Sequence, residues 1–508
     1  MTFLRKHKVL LTVIFLISLS LILRFHKLSE IYIFTFDEEY QATYAWSLVK
    51  DPHPIWIGVS ASYLDYYLGP YFTYFSAILL AISKGDPIIW AYFAATLGAI
   101  TSAVIFFIGR YLFNFTTGVI TASLYASLPL FVYYDQKYWN PMFSNLITLG
   151  ILLILNLVKK SKWWWLAFVS LAGVILHTNL TSVPFLLIGI IYFIKDKVFK
   201  DLKLVFFCIL IFLLFYWPLI VFDVNHNFSN ITALFRLGEQ TKKFDARFDI
   251  EDKFKSVFDS LGRIWYLRSG SSDADEINIA CTSLSIRDEL KFIDQYSERT
   301  NGIYLLSVIS MLLLIYFFKM GLFNKNLAHK ILALMLLVKL SFYLIYQGGS
   351  FEYYILDFLT LFLFIPAILL SGLKSTYQYL VIPPIVLVII LGINTVVNVS
   401  NKFGLGVKRQ LISDVMQVVR DKKFSIEGEG ICHNYEGWRY LFKIYGRTPD
   451  KSYTDKNFAW LYPDEMVSED VEYEVVLAEQ RLPKQKDLSN YFKISRGGYS
   501  AYIRQIKE

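Results

Sequence analysis

Runs of about 20 apolar residues recur along this chain, and they constrain it more than any other feature. Inside a bilayer every backbone N–H and C=O must find its partner within the chain, so such a run folds as a spanning helix. The runs fall at 9–25, 88–109, 118–134, 142–158, 163–180, 182–194, 203–221, 302–318, 329–346, 353–370 and 378–397, about eleven in all. The run at 182–194 is the shortest. The first run is longer than a signal-peptide core and no small-residue cleavage site follows it, so it reads as a retained helix.

The short loops set the orientation. Fifteen Lys and Arg residues sit at the N-terminus and in alternate short loops, among them Arg110, Lys159, Lys160, Lys162 and Lys374. The opposite short loops, around 135–141, 181 and 347–352, carry only Lys137. By the positive-inside rule the N-terminus is cytoplasmic. The net charge of +8 follows from these loops and is no sign of a nucleic-acid partner. Three longer segments then lie outside: 26–87, 222–301 and 398–508. The last turns polar after Asn398 and reads as a small α/β domain, with a helix at 408–420 and strands at Tyr473–Ala478 and Tyr499–Ile503. The stretch 64–82 is apolar enough to cross, but a crossing there would invert every later loop. It is therefore expected to lie along the outer surface or to re-enter. The expected fold class is thus an all-α polytopic membrane protein with a small extracytoplasmic α/β domain, divided at 397/398. Three cysteines are too few for a disulfide framework: Cys208 falls in a helix, and Cys281 with Cys432 would both be outside. No internal repeat is visible.

Five polar constellations collect on the outer side. Asp37-Glu38-Glu39 follows the first span; three adjacent carboxylates repel one another and lose solvation at a membrane face, which raises proton affinity and suits one of them to act as a base. A solvated acidic loop is the plain alternative. Tyr133–Pro141 (YYDQKYWNP) sets Lys137 among Tyr138 and Trp139, where a cation can hold a phosphate or simply snorkel beside an aromatic belt. His177-Thr178-Asn179 ends a span, and ionisable residues there are candidate sites or interfacial hydrogen-bonders. Asp223–Asn227 reads best as a polar loop exit. Glu352-Tyr353-Tyr354 opens a late span. No Walker loop, dinucleotide glycine pattern or HExxH is present.

The order of these motifs, together with Leu68-Gly69-Pro70-Tyr71 and with Tyr440-Leu441-Phe442 and Gly446-Arg447 in the tail, resembles the C-type (GT-C) glycosyltransferase superfamily. The likeness is to the branch holding protein O-mannosyltransferases and aminoarabinose transferases, over most of 1–370. The resemblance implies two helices on the first outer loop, a sugar donor on a polyprenyl phosphate and an inverting transfer to a lipid, glycan or protein hydroxyl. It makes Asp37 the catalytic base and Glu38 its partner, orienting Asp37 or binding acceptor or metal. Glu39, Lys137, Tyr138, Trp139, His177, Glu352 and Tyr353 become the substrate-binding set. No cofactor is certain, and a divalent metal is left open. Related sequences often carry Arg at the place of Lys137 and His at that of Glu352; the first exchange loses bidentate phosphate geometry. The expected function is a cell-membrane glycosyltransferase. The alternatives are a flippase for a lipid-linked sugar, for which mid-helix charges other than Lys339 are scarce, and a non-catalytic scaffold.

Overall fold

The computed structural model describes residues 7–506 apart from 61–65, 237–249, 268–302, 347–350, 430–436, 453–469 and 481–485. Cys281, Cys432 and much of the second long loop therefore lie outside the described residues. Among the described residues, eight helices are long and apolar enough to cross a membrane, or nine if one bent pair counts as a span. They follow the apolar runs closely: Lys8–Phe25, Ile88–Leu112, Leu202–Asn225, Tyr304–Leu322 and Leu327–Ile345 each begin and end within a few residues of the sequence reading. Trp164–Thr178 and Leu180–Lys195 are apolar but shorter.

Two stretches depart from straight spans. The run at 118–134 breaks by 67° between Phe115–Ser127 and Pro129–Asp135. Pro129 has no N–H to donate and sits at the first turn of the second piece, with Leu128 extended between the two. The bend delivers Asp135 to the end of the first span. The stretch 64–82 yields only the Tyr71–Ser83 helix. Thirteen residues rise about 20 Å, short of the roughly 30 Å of a bilayer core, so it does not cross as a regular helix. It packs against Phe36–Lys50, and these are the two longer helices of the 26–87 segment, after the short Leu28–Ile31 helix.

The C-terminal part holds a five-stranded sheet: β1 (Phe424–Glu429), β2 (Lys451–Ser452), β3 (Tyr473–Glu479), β4 (Phe492–Arg496) and β5 (Tyr499–Gln505) in the order β2-β1-β3-β5-β4. β1 runs parallel to β2 and β3, while β5 is antiparallel to β3 and β4. Leu411, Ile412, Val415 and Val419 recur at helical spacing on Leu405–Val419 and are buried against it. This layer does not hang free. Tyr32, Phe34 and Trp90 share one apolar cluster with Leu411, Trp438 and Tyr499, so the start of the Asp37-bearing helix is packed between the bundle and the sheet.

Candidate active site

The helix Phe36–Lys50 begins at Thr35, and its first turn carries the three consecutive acids. They have three different fates. Glu38 is buried, and one carboxylate oxygen accepts from the Thr35 N–H (3.1 Å) and the Thr35 hydroxyl (2.8 Å), closing a capping box. Glu39 is buried too; its oxygens accept from the backbone N–H of Gly437 (3.1 Å) and of Tyr440 (3.0 Å), at the start of the Trp438–Tyr445 helix. Asp37 is different. Among the described residues none hydrogen-bonds its carboxylate. It reaches solvent, but from a recess crowded by protein.

A carboxylate at a helix N-terminus is ordinarily stabilised by the helix dipole. Here desolvation outweighs that: burial first and the negative Glu38 second push Asp37 from 3.8 up to about 6, with Lys137 pulling the other way. The group is therefore mostly ionised near neutral pH yet holds a proton far more readily than a free aspartate.

Lys137 is brought there by the bent segment. Arg24, fully buried at the end of the first span, reaches Asp135 through Nε (2.9 Å) and Nη2 (2.7 Å), and bonds the carbonyls of Tyr125 and Ala126. The Tyr125 hydroxyl donates to the second Asp135 oxygen (3.0 Å), and Gln136 Nε2 returns to the Arg24 carbonyl (2.9 Å). Gly98 faces Asp135 so closely that a Cβ there would lie 2.4 Å from its carboxylate. This clasp fixes residues 135–136 and hence Lys137, which is half-buried with Nζ 4.5 Å from the Trp139 ring centroid. Trp139 in turn stacks on Tyr134 (6.0 Å, 10°) and meets Tyr353 edge-on (4.7 Å). Lys137, Trp139 and Tyr353 thus form one aromatic-lined wall, with Lys137 coupled in charge to Asp37.

Behind that wall lies a residue that sequence reasoning missed. Arg263, 2 % exposed, closes the amphipathic Ile250–Arg263 helix. Its Nε and Nη2 contact the two oxygens of Glu352 at 2.8 and 3.3 Å, and the Tyr134 hydroxyl donates to the second oxygen at 3.2 Å. The negative charge of Glu352 is neutralised within the wall, and its partner is an arginine 89 residues away. Val257 and Leu261 recur at helical spacing on the buried side of that helix; nothing in the sequence marked the pairing.

Other members of the expected set are engaged in packing. Tyr138 is buried between Trp90 (4.6 Å) and Phe72 (5.3 Å), and its hydroxyl meets Ser76 Oγ at 2.7 Å. Tyr138, expected in the substrate-binding set, is a buried core residue. His177 is 2 % exposed; it stacks on Tyr71 at 4.0 Å, and Nε2 lies 2.8 Å from the Phe215 carbonyl. It ties the first loop to the Leu202–Asn225 helix. Asn230 grips the Tyr67 backbone on both sides (2.7 and 3.1 Å) and is itself held by Asp223 (2.9 Å), so the Asp223–Asn227 exit also works as a brace. Beside His177 an apolar recess of about 160 Å³ is lined by Tyr71, Phe72, Phe75, Phe143, Val174 and Phe215 among others. Lys339, the mid-helix exception, is paired with Asp357 at 3.0 Å and also bonds the Thr181 carbonyl. Among the described residues no three His, Cys, Asp or Glu gather as a metal would need.

Residues 68–222 match the family model of dolichyl-phosphate-mannose-protein mannosyltransferases. No curated protein matches the chain. Among solved structures, ArnT from Cupriavidus metallidurans bound to undecaprenyl phosphate superposes with a TM-score of 0.58 at 11% identity, covering 97% of each chain. The Archaeoglobus fulgidus oligosaccharyltransferase in its apo form gives 0.54 at 12% identity, over 94% of this chain and 70% of that one. In fold, the chain is similar to both of these membrane proteins. The stretch that matches the family model contains Lys137, Trp139 and His177, whereas Asp37, Arg263 and Glu352 lie outside it and come near the wall only through folding.

Proposed function

We propose that the protein moves a monosaccharide from a polyprenyl-phosphate donor to an acceptor hydroxyl, with inversion, on the extracytoplasmic face of the cell membrane. Asp37 carries this reading: of the three consecutive acids it is the one whose carboxylate no described residue hydrogen-bonds, it is raised to about 6, and it is coupled to a cation. In the transfer the acceptor oxygen attacks the anomeric carbon and its proton passes to Asp37. The bond to the donor phosphate breaks, and the electron pair leaves with that phosphate. Lys137 stands where this growing negative charge needs a fixed cation, and Trp139 and Tyr353 offer faces to the sugar ring. The apolar recess beside His177 is suited to an isoprenoid tail, and the ArnT structure holds undecaprenyl phosphate, a ligand of this class. The loop asymmetry supports the orientation, with residues 398–508 forming an extracytoplasmic domain over the first loop. A flippase is disfavoured because Arg24–Asp135 and Lys339–Asp357 are closed pairs rather than a polar path.

The test is turnover by the purified full chain in lipid nanodiscs, offered a panel of polyprenyl-phosphate sugars with candidate acceptors. Release of polyprenyl phosphate is expected with at least one donor, and Asp37→Asn is expected to slow it about 10²–10⁴-fold. An Asp37→Asn protein with wild-type turnover contradicts the reading.

A further inference from the structure

Several of the bonds that fix the start of the Asp37 helix come from the C-terminal part. The chain enters that helix from the short Leu28–Ile31 helix through 32–35, which belong to no helix or strand. The C-terminal part supplies donors to the carbonyls here. Asn401 Nδ2 donates to the Ile31 carbonyl (3.3 Å), the Leu405 N–H to that of Tyr32 (2.7 Å) and Lys408 Nζ to that of Phe34 (2.9 Å). Lys408 is fully buried, with its ammonium 4.9 and 5.0 Å from the ring centroids of Trp438 and Tyr499. From the other side Glu39, two residues after Asp37, is held by the N–H groups of Gly437 and Tyr440. Tyr440 also stacks on Phe34 at 5.7 Å and donates to the Gly85 carbonyl at 2.8 Å. Gly437 adopts φ +79°, and a Cβ there would lie 2.6 Å from the Phe34 ring. A buried lysine and a buried glutamate, each bonded to backbone across about 370 to 400 residues of sequence, grip the turn on either side of one unbonded aspartate.

We propose that the C-terminal part is a positioning device for the base, with Glu39 and Lys408 as positioning residues that hold Asp37 in its recess. This rests on Asp37 being the base. It gives Glu39 a role other than substrate binding. A carboxylate without hydrogen bonds has nothing of its own to hold it against solvent, so its place must be fixed through the backbone on both sides. A misplacement of about 1 Å is enough to reduce turnover about 10²-fold.

The experiment compares Glu39→Gln and Lys408→Met in the full chain, each with donor kinetics and the pH dependence of kcat/KM. The two changes remove opposite charges. If they acted on Asp37 through charge, its apparent pKa would fall in the first and rise in the second. If they release its position, both lower kcat about 10- to 100-fold, leave the donor KM unchanged and move the acid limb down from about 6 toward the ordinary 3.8, because a freed Asp37 is better solvated while Glu38 and Lys137 stay in place. Asn401→Ala, at a half-buried residue that donates to the Ile31 carbonyl and accepts from the Phe403 N–H, keeps the test open should either buried variant fail to fold. It is expected to lower kcat a few-fold with the same movement of the limb. Arg496→Gln, which breaks the pair between β4 and Asp414 on the Leu405–Val419 helix but none of the bonds to Phe34 or Glu39, is expected to change neither quantity. Wild-type kcat and limb in the folded variants, or limbs that move in opposite senses, overturn the inference. Should Asp37→Asn keep its turnover, the base reading itself fails first; should it lose turnover while Glu39→Gln and Lys408→Met behave as wild type, only the positioning role falls.

Discussion

Asp37 and Asp135 are both aspartates at the end of the bundle, and both lie near a cation. Asp135 accepts two bonds from Arg24 and one from Tyr125 in a site closed to water. Asp37 accepts none from the described residues, and Lys137 acts on it only as a charge. A carboxylate held by three hydrogen bonds, two of them from a guanidinium, serves the fold. One whose lone pairs are empty, and whose charge is poorly solvated, is ready to take a proton. The contrast separates structure from chemistry among residues that look alike in sequence.

The comparison breaks most visibly at the clasp. Arg24→Ala leaves Asp135 buried and uncompensated, so a loss of about 3–5 kcal/mol in stability is expected, read as a lower thermal midpoint in detergent. Arg24→Met combined with Asp135→Leu should recover most of it, because the pair then disappears together. A single variant as stable as wild type would mean that the clasp does not hold the bend. Lys137→Ala should act on function instead. Losing a charge-assisted contact is worth about 1.5–3 kcal/mol, or about ten- to a hundred-fold in donor affinity. It also removes the one charge that lowers Asp37, so the acid limb should move above 6. Unchanged donor affinity would take Lys137 out of the phosphate role.

The smallest effect concerns stability. Because folding raises Asp37 from 3.8 to about 6, the native state is penalised as pH climbs through that window and fully so above it. Asp37→Asn should therefore melt higher than wild type at pH 8, with the gain vanishing below about pH 4. A lower melting point at pH 8 would mean that Asp37 makes a stabilising contact after all.

Most of the bundle was legible because a bilayer leaves a span few ways to look: the apolar runs coincide with helices such as Leu202–Asn225 and Ser375–Val397. The break before Pro129 was not legible, since Leu128 and Pro129 continue an apolar run and only the fold shows which way the chain turns. The acidic cluster 37–39 was legible as three adjacent carboxylates at a membrane face, but the choice of Asp37 within it came from the resemblance. That Glu38 and Glu39 would be occupied by backbone N–H groups, one of them 398 residues away, was not legible. Tyr138 and Trp139 show the same limit: adjacent aromatics on one loop, one clamped between Trp90 and Phe72 and the other facing Lys137. Pairings such as Arg263–Glu352 depend on tertiary proximity, which no local pattern encodes.

The central claim is that an unbonded, desolvated Asp37 is the base. The pH dependence of kcat/KM for sugar transfer tests it most directly, because that ratio reports the ionisation of the free enzyme. The account predicts an acid limb with its midpoint near 6, activity falling about tenfold per pH unit below it, and loss of that limb in Asp37→Asn. A profile flat from pH 5 to pH 8, or a limb that survives in Asp37→Asn, would contradict it.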